Sequence, residues 1–201
     1  MSSVSILDYG CGNILAFVNA FRHLDISYTV INSSQEIINS NRLICPGVGS
    51  FDRVMSSLNR LDIREALDEQ VLVNGVPFLG ICVGLQILGS SSSEGNLSGL
   101  GWFDFQTTKL VCDQSIVLPH MGWNSVLPQH SCDLFKGIYN RFYFLHSYAV
   151  TKIDPSFTLG VSEYGSKFSS IVSKENIFGV QFHPEKSHAD GFKLLSNFSR
   201  I

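Results

Sequence analysis

Charged residues are scarce in this 201-residue sequence: Asp, Glu, Lys and Arg make up 15 % of it, and the formal net charge is −3. No Lys/Arg cluster occurs, so the phosphate neutralisation needed for non-specific nucleic-acid binding is missing. The longest apolar stretches, such as Val71–Val73 and Val76–Leu79, are far shorter than the roughly 20 residues of a membrane span. The N-terminus MSSVSILDYG has neither the basic region nor the apolar core of a secretion signal. We therefore expect a cytoplasmic protein that binds neither nucleic acid nor membrane.

Cysteine is too sparse and too irregularly spaced for a structural framework. The five cysteines are Cys11, Cys45, Cys82, Cys112 and Cys132. Their number is odd and no two stand in C-x-x-C spacing, which is untypical of disulfide scaffolds and of zinc sites. We expect reduced thiols, no bound metal and no cofactor. Most free cysteines are small buried hydrophobic residues, so a catalytic role for any of them needs support from its local sequence.

Hydrophobic residues make up 44 % of the sequence, and a chain of this length is expected to form one domain, residues 1–201. The first half alternates apolar segments with helical patterns, which is typical of a parallel sheet covered on both faces. Predicted strands there are Ser5–Asp8, Ser27–Ile31, Arg42–Cys45 and Pro77–Ile81; predicted helices are Asn13–Leu24, two within Phe51–Val73, and one beginning at Val83–Leu88. The second half predicts strands Phe105–Val111, Ser115–Leu118, Phe142–Val150, Phe157–Val161, Lys167–Ser173 and Ile177–Phe182, then a closing helix Gly191–Arg200. The predicted fold class is α/β: an open, mostly parallel central sheet flanked by helices, with extra antiparallel strands in the second half.

The segment Pro77–Gln86 combines an apolar strand, a Gly-x-Cys-x-Gly motif and a helical pattern. A nucleophile at such a strand-to-helix turn is held in a strained conformation, and flanking glycines remove the Cβ atoms that would clash there. The following helix directs its N–H groups and the positive end of its dipole at the sulfur, which favours the reactive thiolate. Cys82 is therefore the candidate nucleophile. The alternative is a buried cysteine between two packing glycines.

A histidine suited to activate this cysteine occurs in the segment Gly179–Ser187. Pro184 favours extended backbone at His183, and residues two apart in an extended chain point to the same side. His183 and Glu185 can therefore share a face, so that the carboxylate orients the imidazole and stabilises the imidazolium. An exposed histidine in a His-Pro turn is the alternative. With Cys82, these two residues make the set of a thiol acyl-transfer enzyme.

Such an enzyme also needs backbone N–H groups aimed at the oxygen that becomes negative in the tetrahedral intermediate. The N–H of Val83, directly after the nucleophile, is one candidate donor. The glycine-rich segment Pro46–Gly49, with Val48 and Gly49, is a second source, because glycine-rich backbone approaches a ligand closely. Both segments follow the carboxyl ends of predicted parallel strands, where open α/β sheets place their sites.

The strings GICVGLQ and QFHPEKS resemble the class I (triad) glutamine amidotransferase family. The resemblance runs nearly end to end and implies that the Cys82 thiolate attacks glutamine, with His183 as acid and base and Glu185 orienting the ring. A γ-glutamyl thioester would form, ammonia would leave, and water would release glutamate. The residues that match glutamine-binding positions of the family are Gly47, Gly49, Gln86, Glu94, Ser147 and Tyr148. The resemblance also implies that the peptide at Val48 must flip to complete the oxyanion hole.

Five further strings narrow the resemblance: DYGCGNILAF, PGVGSF, EGNLSGLGW, PHMGWN and FYFLHSY. They are similar to glutaminase subunits that pass ammonia to a (β/α)8-barrel cyclase subunit in histidine biosynthesis. This implies a heterodimer with an ammonia channel, whose interface on this chain would include Asn13, His120, Met121, Trp123, Asn124 and Lys186. Trp123 and Met121 suit an interface because aromatic residues and methionine are enriched at interface cores; core packing is the alternative for Trp123. We expect His120 to be structural or interfacial, not catalytic.

The sequence departs from the family after the nucleophile helix, where Gly89–Ser93 replaces a longer apolar and acidic stretch. We therefore expect the helix to end early, the serine run to form a surface loop, and Glu94 to lie on a mobile segment. The strings KSHADGFKLLSNFS and GLGWFDF are similar to glutaminase subunits that serve surface-sugar (lipopolysaccharide or flagellar glycan) synthases, an alternative that changes only the ammonia acceptor. A stand-alone γ-glutamyl thiol hydrolase is a second alternative. A non-catalytic module is disfavoured by the intact set of Cys82, His183 and Glu185.

Overall fold

Residues 3–111 and 116–201 are described by the computed structural model of the chain. Their strands are β1 Val4–Leu7, β2 Tyr28–Ile31, β3 Leu43–Cys45, β4 Phe78–Ile81, β5 Ser91–Ser92, β6 Gln106–Lys109, β7 His120–Ser125, β8 Leu127–Pro128, β9 Arg141–His146, β10 Tyr148–Val150, β11 Thr158–Tyr164, β12 Ser166–Lys174 and β13 Ile177–Val180. Their α-helices are α1 Ile14–His23, α2 Ser34–Ile38, α3 Phe51–Leu61, α4 Arg64–Asp68, α5 Val83–Gln86 and α6 His188–Phe198. A π-helical turn follows α4 at Glu69–Val73, and short 3-10 turns cover Asp133–Phe135, Pro155–Phe157 and Pro184–Lys186.

The main sheet of the described residues has 11 strands. Its order is β2-β1-β3-β4-β13-β12-β10-β6-β5, with β11 paired to β12 and to β8. The first five strands of this order are parallel neighbours, whereas β12, β10 and β11 run antiparallel to their partners. β7 and β9 form a separate antiparallel pair. The predicted fold class, with a parallel centre and antiparallel additions from the second half, is confirmed.

Helices cover both faces of the parallel centre. Every residue of β1, β4 and β13 is buried, as a strand covered on both faces requires. Because side chains alternate along a strand, the buried residues separate into two apolar clusters. α1 contributes Phe17 and Phe21 to one cluster, and α3 contributes Val54 and Leu58 to the other. This packing fixes the edge at which the carboxyl ends of β3, β4 and β13 meet.

The first-half elements lie close to their predicted bounds, and α5 ends at Gln86, as the glycine and serine residues after it predicted. A Cβ at Gly89 would lie 2.4 Å from the Phe105 ring. The chain after α5 therefore packs closely against the loop before β6, and only glycine fits at this point. One short helix, α2, was not predicted. Its sequence signal is the capping box formed by Ser33 and Glu36.

Two predictions for the second half are wrong because they depend on which strands pair with each other. Phe142–Val150 is two strands: β9 pairs with β7, whereas β10 pairs with β6 and β12. The serine run is only partly a loop, since Ser91 and Ser92 form β5 and pair with β6. A sequence pattern reports local alternation and carries no information on which partner a strand finds.

The predicted strand Ser115–Leu118 is not found: residue 115 lies outside the described residues, and residues 116–118 form no strand. The strand in this region is β7 instead, which follows a cis Leu118–Pro119 bond. Its inward-facing residues are His120, Gly122 and Asn124, so it lacks the apolar alternation by which strands are recognised. No helix of the described residues is long and apolar enough to cross a membrane.

We expect Gly84→Ala to destabilise the fold by about 3 kcal/mol, the upper end of the range for forcing extra atoms into a packed interior. A Cβ at Gly84 would lie 2.3 Å from the carbonyl oxygen of Cys45, which is backbone and has no room to move. Gly75→Ala is the matched control, because a Cβ there meets nothing within 4 Å and only its φ of +68° is unfavourable. That control costs about 1 kcal/mol. Urea unfolding of both variants measures the difference, and equal losses would contradict the assigned contact.

Candidate active site

Cys82 stands at the turn between β4 and α5 with φ 56° and ψ −111°, in the region that non-glycine residues rarely adopt. The two flanking glycines make this conformation possible. A Cβ at Gly80 would lie 2.3 Å from the Gly84 carbonyl oxygen, and a Cβ at Gly84 would lie 2.3 Å from the Cys45 carbonyl oxygen, so the turn packs in this way only when both positions lack side chains. α5 is four residues long, so its dipole is weaker than the sequence pattern suggested. The strained turn, rather than a long helix, presents the sulfur.

The Cys82 side chain is buried among polar groups. Its sulfur lies 3.7 Å from the carbonyl oxygen of Leu145 and accepts a hydrogen bond from Nε2 of Gln181 at 3.7 Å. The Cys45 thiol, at the end of β3, contrasts with it because burial raises the pKa of that thiol to about 12 and keeps it neutral. The four described cysteines are all free thiols, and Cys112 lies outside the described residues. Cys82 is the one in contact with a histidine.

His183 lies against Cys82 and is only 2 % exposed. Its Nδ1 and the Oε1 of Glu185 are 2.8 Å apart, so the other ring nitrogen is left for the thiol. His183 is extended, with φ −103° and ψ 95°, and Pro184 begins the 3-10 turn that brings Glu185 back beneath the ring. Ser187 Oγ donates to the His183 carbonyl oxygen at 2.6 Å and fastens this turn. The structure therefore joins the three residues that the sequence selected.

The groups around His183 favour its protonated form, the imidazolium. Burial lowers the pKa of His183, but the neighbouring Cys82 thiolate and Glu185 carboxylate outweigh burial and raise that pKa to about 10. The Glu185 side chain is 1 % exposed, and its Oε2 has no hydrogen-bond partner among the described residues. A buried carboxylate with one hydrogen bond depends on the imidazolium for its stabilisation, which keeps the proton on His183.

A cavity of about 190 Å³ opens onto the sulfur. Its lining residues come from five separate segments of the chain: Val48, Gly49, Cys82, Val83, Gln86, Glu94, Leu145, His146, Ser147, Tyr148 and His183. All of the predicted glutamine-binding residues except one are among them. The exception is Gly47, where a Cβ would lie 2.4 Å from the Val83 side chain and 2.6 Å from the Gly84 nitrogen. Gly47 therefore allows two backbones to pack closely and does not line the cavity.

Two predicted pocket residues are also tied into the walls. Gln86 Nε2 donates to the Tyr148 carbonyl oxygen at 2.8 Å and so joins α5 to β10. Glu94 Oε2 accepts from the Phe51 backbone nitrogen at 2.8 Å, which caps the start of α3. The Asp52 carboxylate accepts in return from the backbone nitrogens of residues 96 and 97. These contacts tie the segment around Glu94 to the start of α3.

The oxyanion segment Pro46–Gly49 follows β3 and lies beside the nucleophile turn. Its base is held by Tyr9, whose hydroxyl donates to the Pro46 carbonyl oxygen. Gly49 has φ +122°, a conformation that side chains rarely adopt, and Val48 is 44 % exposed. Leu145 and His146 are cavity residues that sequence reasoning missed. The HSY string marked this stretch, but the side chain of His146 carried no separate signal.

The predicted partner residues separate into exposed and buried ones. Met121 and Trp123 both lie on the outer face of β7, and they are 65 % and 41 % exposed. Core packing is therefore excluded for Trp123. Asn13 and Lys186 are exposed as well, and Asn13 accepts from the Ala16 nitrogen at the start of α1.

His120 is 2 % exposed, so of its two expected roles, structural or interfacial, the side chain is placed for the structural one. It faces inward on β7, and its ring stacks between Phe144 and Tyr164. Asn124, also on the inner face of this strand, is half-buried. In the described residues, no group of three or more His, Cys, Asp or Glu side chains is placed to hold a metal.

The cysteine, histidine and carboxylate at the carboxyl edge of an α/β sheet form the residue set of a thiol acyl-transfer enzyme, and comparison with known proteins gives its family. Residues 5–200 match the family model "Glutamine amidotransferase class-I". The chain belongs to the class I glutamine amidotransferase family. Among solved structures, PurLQS from Thermotoga maritima covers 99 % of this chain and 98 % of its own, with a TM-score of 0.77 at 17 % identity. Another, described as a glutamine amidotransferase, covers 100 % of both chains with a TM-score of 0.75 at 14 % identity.

Curated relatives place the chain within one branch of that family. Imidazole glycerol phosphate synthase subunit HisH of Bdellovibrio bacteriovorus is 46 % identical over 98 % of this chain and 100 % of its own length. The subunit of the same name from Leptospira borgpetersenii is 42 % identical over 98 % and 100 %. HisH 2 of Pseudomonas aeruginosa is 40 % identical over 98 % and 99 %. The branch is that of the HisH subunits.

Replacement of the nucleophile should lower the pKa of His183. In Cys82→Ala the thiolate that raises this pKa is gone, and burial, which lowers it, remains. We expect the wild-type ring to stay protonated until about pH 10 and the variant ring to lose its proton at lower pH. Imidazole NMR shifts followed against pH give both midpoints. Cys132→Ala, at a half-buried cysteine away from the ring, is the control; identical midpoints in all three proteins would rule out the ion pair.

Proposed function

We propose that this chain hydrolyses glutamine to glutamate and ammonia at Cys82, as the glutaminase subunit of an imidazole glycerol phosphate synthase. The observation that carries the proposal is the buried contact of Cys82, His183 and Glu185 beneath a cavity of about 190 Å³. This volume is below the roughly 300–1,000 Å³ of sites for larger ligands and suits a single amino acid. A small pocket beside the nucleophile, lined by both apolar and polar residues, favours a free amino-acid amide over a peptide.

In the first half-reaction the Cys82 thiolate attacks the carbon of the glutamine side-chain amide, and the carbonyl oxygen becomes negative. The Val83 N–H and the Val48–Gly49 backbone are the proposed donors to this oxygen. The tetrahedral intermediate collapses as its C–N bond breaks, and the nitrogen takes the proton held by His183 and leaves as ammonia. The product on the enzyme is a γ-glutamyl thioester.

In the second half-reaction the neutral His183 takes a proton from water as that water attacks the thioester carbon. Collapse breaks the C–S bond, releases glutamate and restores the thiolate beside the imidazolium. Glu185 keeps the same ring nitrogen protonated through both steps, so that the other nitrogen alone exchanges protons. Removal of one oxyanion donor typically costs about 10²–10³ in rate, so the proposed flip at Val48 is large enough to act as a switch.

We further propose that the ammonia passes to a (β/α)8-barrel synthase subunit in a heterodimer, in the cytoplasm. Support comes from the exposed Met121 and Trp123 on β7, since exposed apolar residues that stand together mark interaction surfaces. Asn13 and Lys186 are proposed to lie at the same interface. The relatives are named as a subunit of a synthase, which supports this reading over a stand-alone γ-glutamyl hydrolase.

Cys82→Ala tests the chemistry. We expect no measurable release of glutamate from glutamine by the complex, while the synthase reaction supplied with ammonium salt keeps its wild-type rate. The reason is that the thiolate is required only for the amide cleavage. Cys132→Ala should retain both activities. Glutamine-dependent turnover by Cys82→Ala would remove this residue from the mechanism, and loss of the ammonia-dependent reaction would show that the substitution damages the complex.

Trp123→Ala tests the partner surface. We expect the dissociation constant for the synthase subunit to rise at least about 30-fold, as for interface hot spots, with little change in the unfolding temperature of the isolated chain. Trp123 is 41 % exposed and stacks on His188 at 5.3 Å, so the fold loses little when it is removed. Leu72→Ala, at a 53 % exposed leucine on the π-helical turn, is the control. Titration calorimetry gives the affinities; equal affinities for the two variants would place the interface elsewhere.

A further inference from the structure

His120 and His146 lie opposite each other across the β7–β9 pair and are hydrogen-bonded through their rings. They are register partners, 2 % and 6 % exposed, with Nδ1 of His120 3.0 Å from Nε2 of His146. His146 lines the cavity above Cys82, whereas His120 lies behind it. Neither side chain has a part in the reaction proposed above. A buried histidine pair in this place requires its own physical explanation.

The groups hydrogen-bonded at the two ends of the His120–His146 pair determine which ring nitrogens carry a proton. His146 Nδ1 is 3.0 Å from the Tyr148 carbonyl oxygen, which only accepts, so Nδ1 carries the proton. Neutral His146 then accepts at Nε2, and Nδ1 of His120 must be the donor. His120 Nε2 is therefore the acceptor, and Asn124 Nδ2 lies 3.2 Å from it. Asn124 therefore donates to His120, His120 donates to His146, and His146 donates to the Tyr148 carbonyl oxygen.

Asn124 is itself fixed in one orientation. Its Nδ2 also donates to the Glu163 carbonyl oxygen at 2.9 Å, and its Oδ1 accepts from the Ser125 nitrogen at 2.7 Å. If the amide were flipped, its oxygen would face the Glu163 carbonyl oxygen and its NH₂ group would face the Ser125 N–H, so neither contact could be a hydrogen bond. The chain of donors thus starts at β7 and ends on the Tyr148 carbonyl oxygen, with one arrangement that satisfies every group.

The surroundings keep both rings uncharged. Burial lowers the pKa of His120 to about 4, and burial with the neighbouring His120 lowers that of His146 to about 3. His120 is stacked between Phe144 and Tyr164, with ring centroids at 4.7 and 4.1 Å. A charged His146 would also repel the imidazolium of His183, whose field contributes to its low pKa. The pair places polar contacts beside the nucleophile without adding a second positive charge.

We propose that His120 and His146 are positioning residues that hold the Ser147–Tyr148 wall of the glutamine pocket in register with β7. The Tyr148 carbonyl oxygen receives hydrogen bonds from His146 on one side and Gln86 on the other, at the break between β9 and β10. The opposite face of β7 carries Met121 and Trp123. A displacement of β7 by the partner therefore reaches the pocket wall through this pair. The inference rests on the proposed function, because it concerns the site at which glutamine binds.

His120→Phe and His120→Asn separate the hydrogen bond from simple packing. Phenylalanine keeps a ring between Phe144 and Tyr164 but cannot donate to His146. Asparagine loses the ring but places an amide N–H at the position of Nδ1. In the complex with the synthase subunit we expect the phenylalanine variant to raise KM for glutamine about tenfold, as for one lost buried hydrogen bond, with kcat within about twofold. The asparagine variant should stay within about twofold of wild type in both.

Three outcomes would overturn the inference: an unchanged KM in His120→Phe, equal losses in both variants, or a fall in kcat with KM unchanged. Asn124→Leu is the second route if His120→Phe does not fold, since it removes the donor at the start of the chain and should raise KM in the same direction. An unchanged KM in that variant would also overturn it.

Imidazole nitrogen NMR of the full chain without partner or glutamine tests the pair independently of catalysis. We expect His146 to carry its proton on Nδ1 alone from pH 6 to 8, and His120→Phe to transfer part of it to Nε2. A wild-type His146 protonated on Nε2, or on both nitrogens, would refute the inference. If the wild-type complex releases no glutamate from glutamine, the proposed function fails, and these spectra still decide whether the pair is fixed as described.

Discussion

The close contact between the end of β3 and the turn after β4 is the constraint on which the site depends. Gly84 lies against the Cys45 carbonyl oxygen, and Gly80 lies against the carbonyl oxygen of Gly84, so that the backbone folds over itself without side chains between. This compression places Cys82 in its unusual conformation, with the sulfur at the sheet edge. It also sets the distance from the nucleophile to the Pro46–Gly49 segment. Catalytic geometry here is a consequence of backbone packing.

The charges around the nucleophile are arranged so that only one histidine is cationic. Glu185 and the thiolate hold a proton on His183, whereas the ring of His146, close enough to feel that charge, stays neutral. The two histidines are similarly buried, and their partners account for the difference. His183 faces two anions, while His146 faces a carbonyl oxygen and another imidazole. Burial alone would have left both neutral.

Sequence reasoning succeeded where chemistry requires particular residues at short spacing. The glycines around Cys82 and the pair His183 and Glu185 carry their geometry in the local sequence, and the parallel strands were visible as apolar runs between helices. It failed at β7, whose inner face is polar, and at Ser91–Ser92, whose strand character depends on pairing with β6. It also placed Gly47 among the glutamine-binding residues and left His120 either structural or interfacial, because the exposure of a residue cannot be read from its sequence neighbours.

The sequence by itself determined the α/β class, the nucleophile turn and the histidine–carboxylate pair, because each follows from spacing and backbone preference within about ten residues. Only the tertiary structure decided which of the candidate residues line one cavity, since Val48, Glu94 and Tyr148 meet there from distant segments. It alone revealed that His120 and His146 touch, as strand register across a separate two-stranded pair depends on non-local packing. Local sequence preferences determine the backbone conformation of each segment, whereas long-range contacts determine which residues lie next to one another.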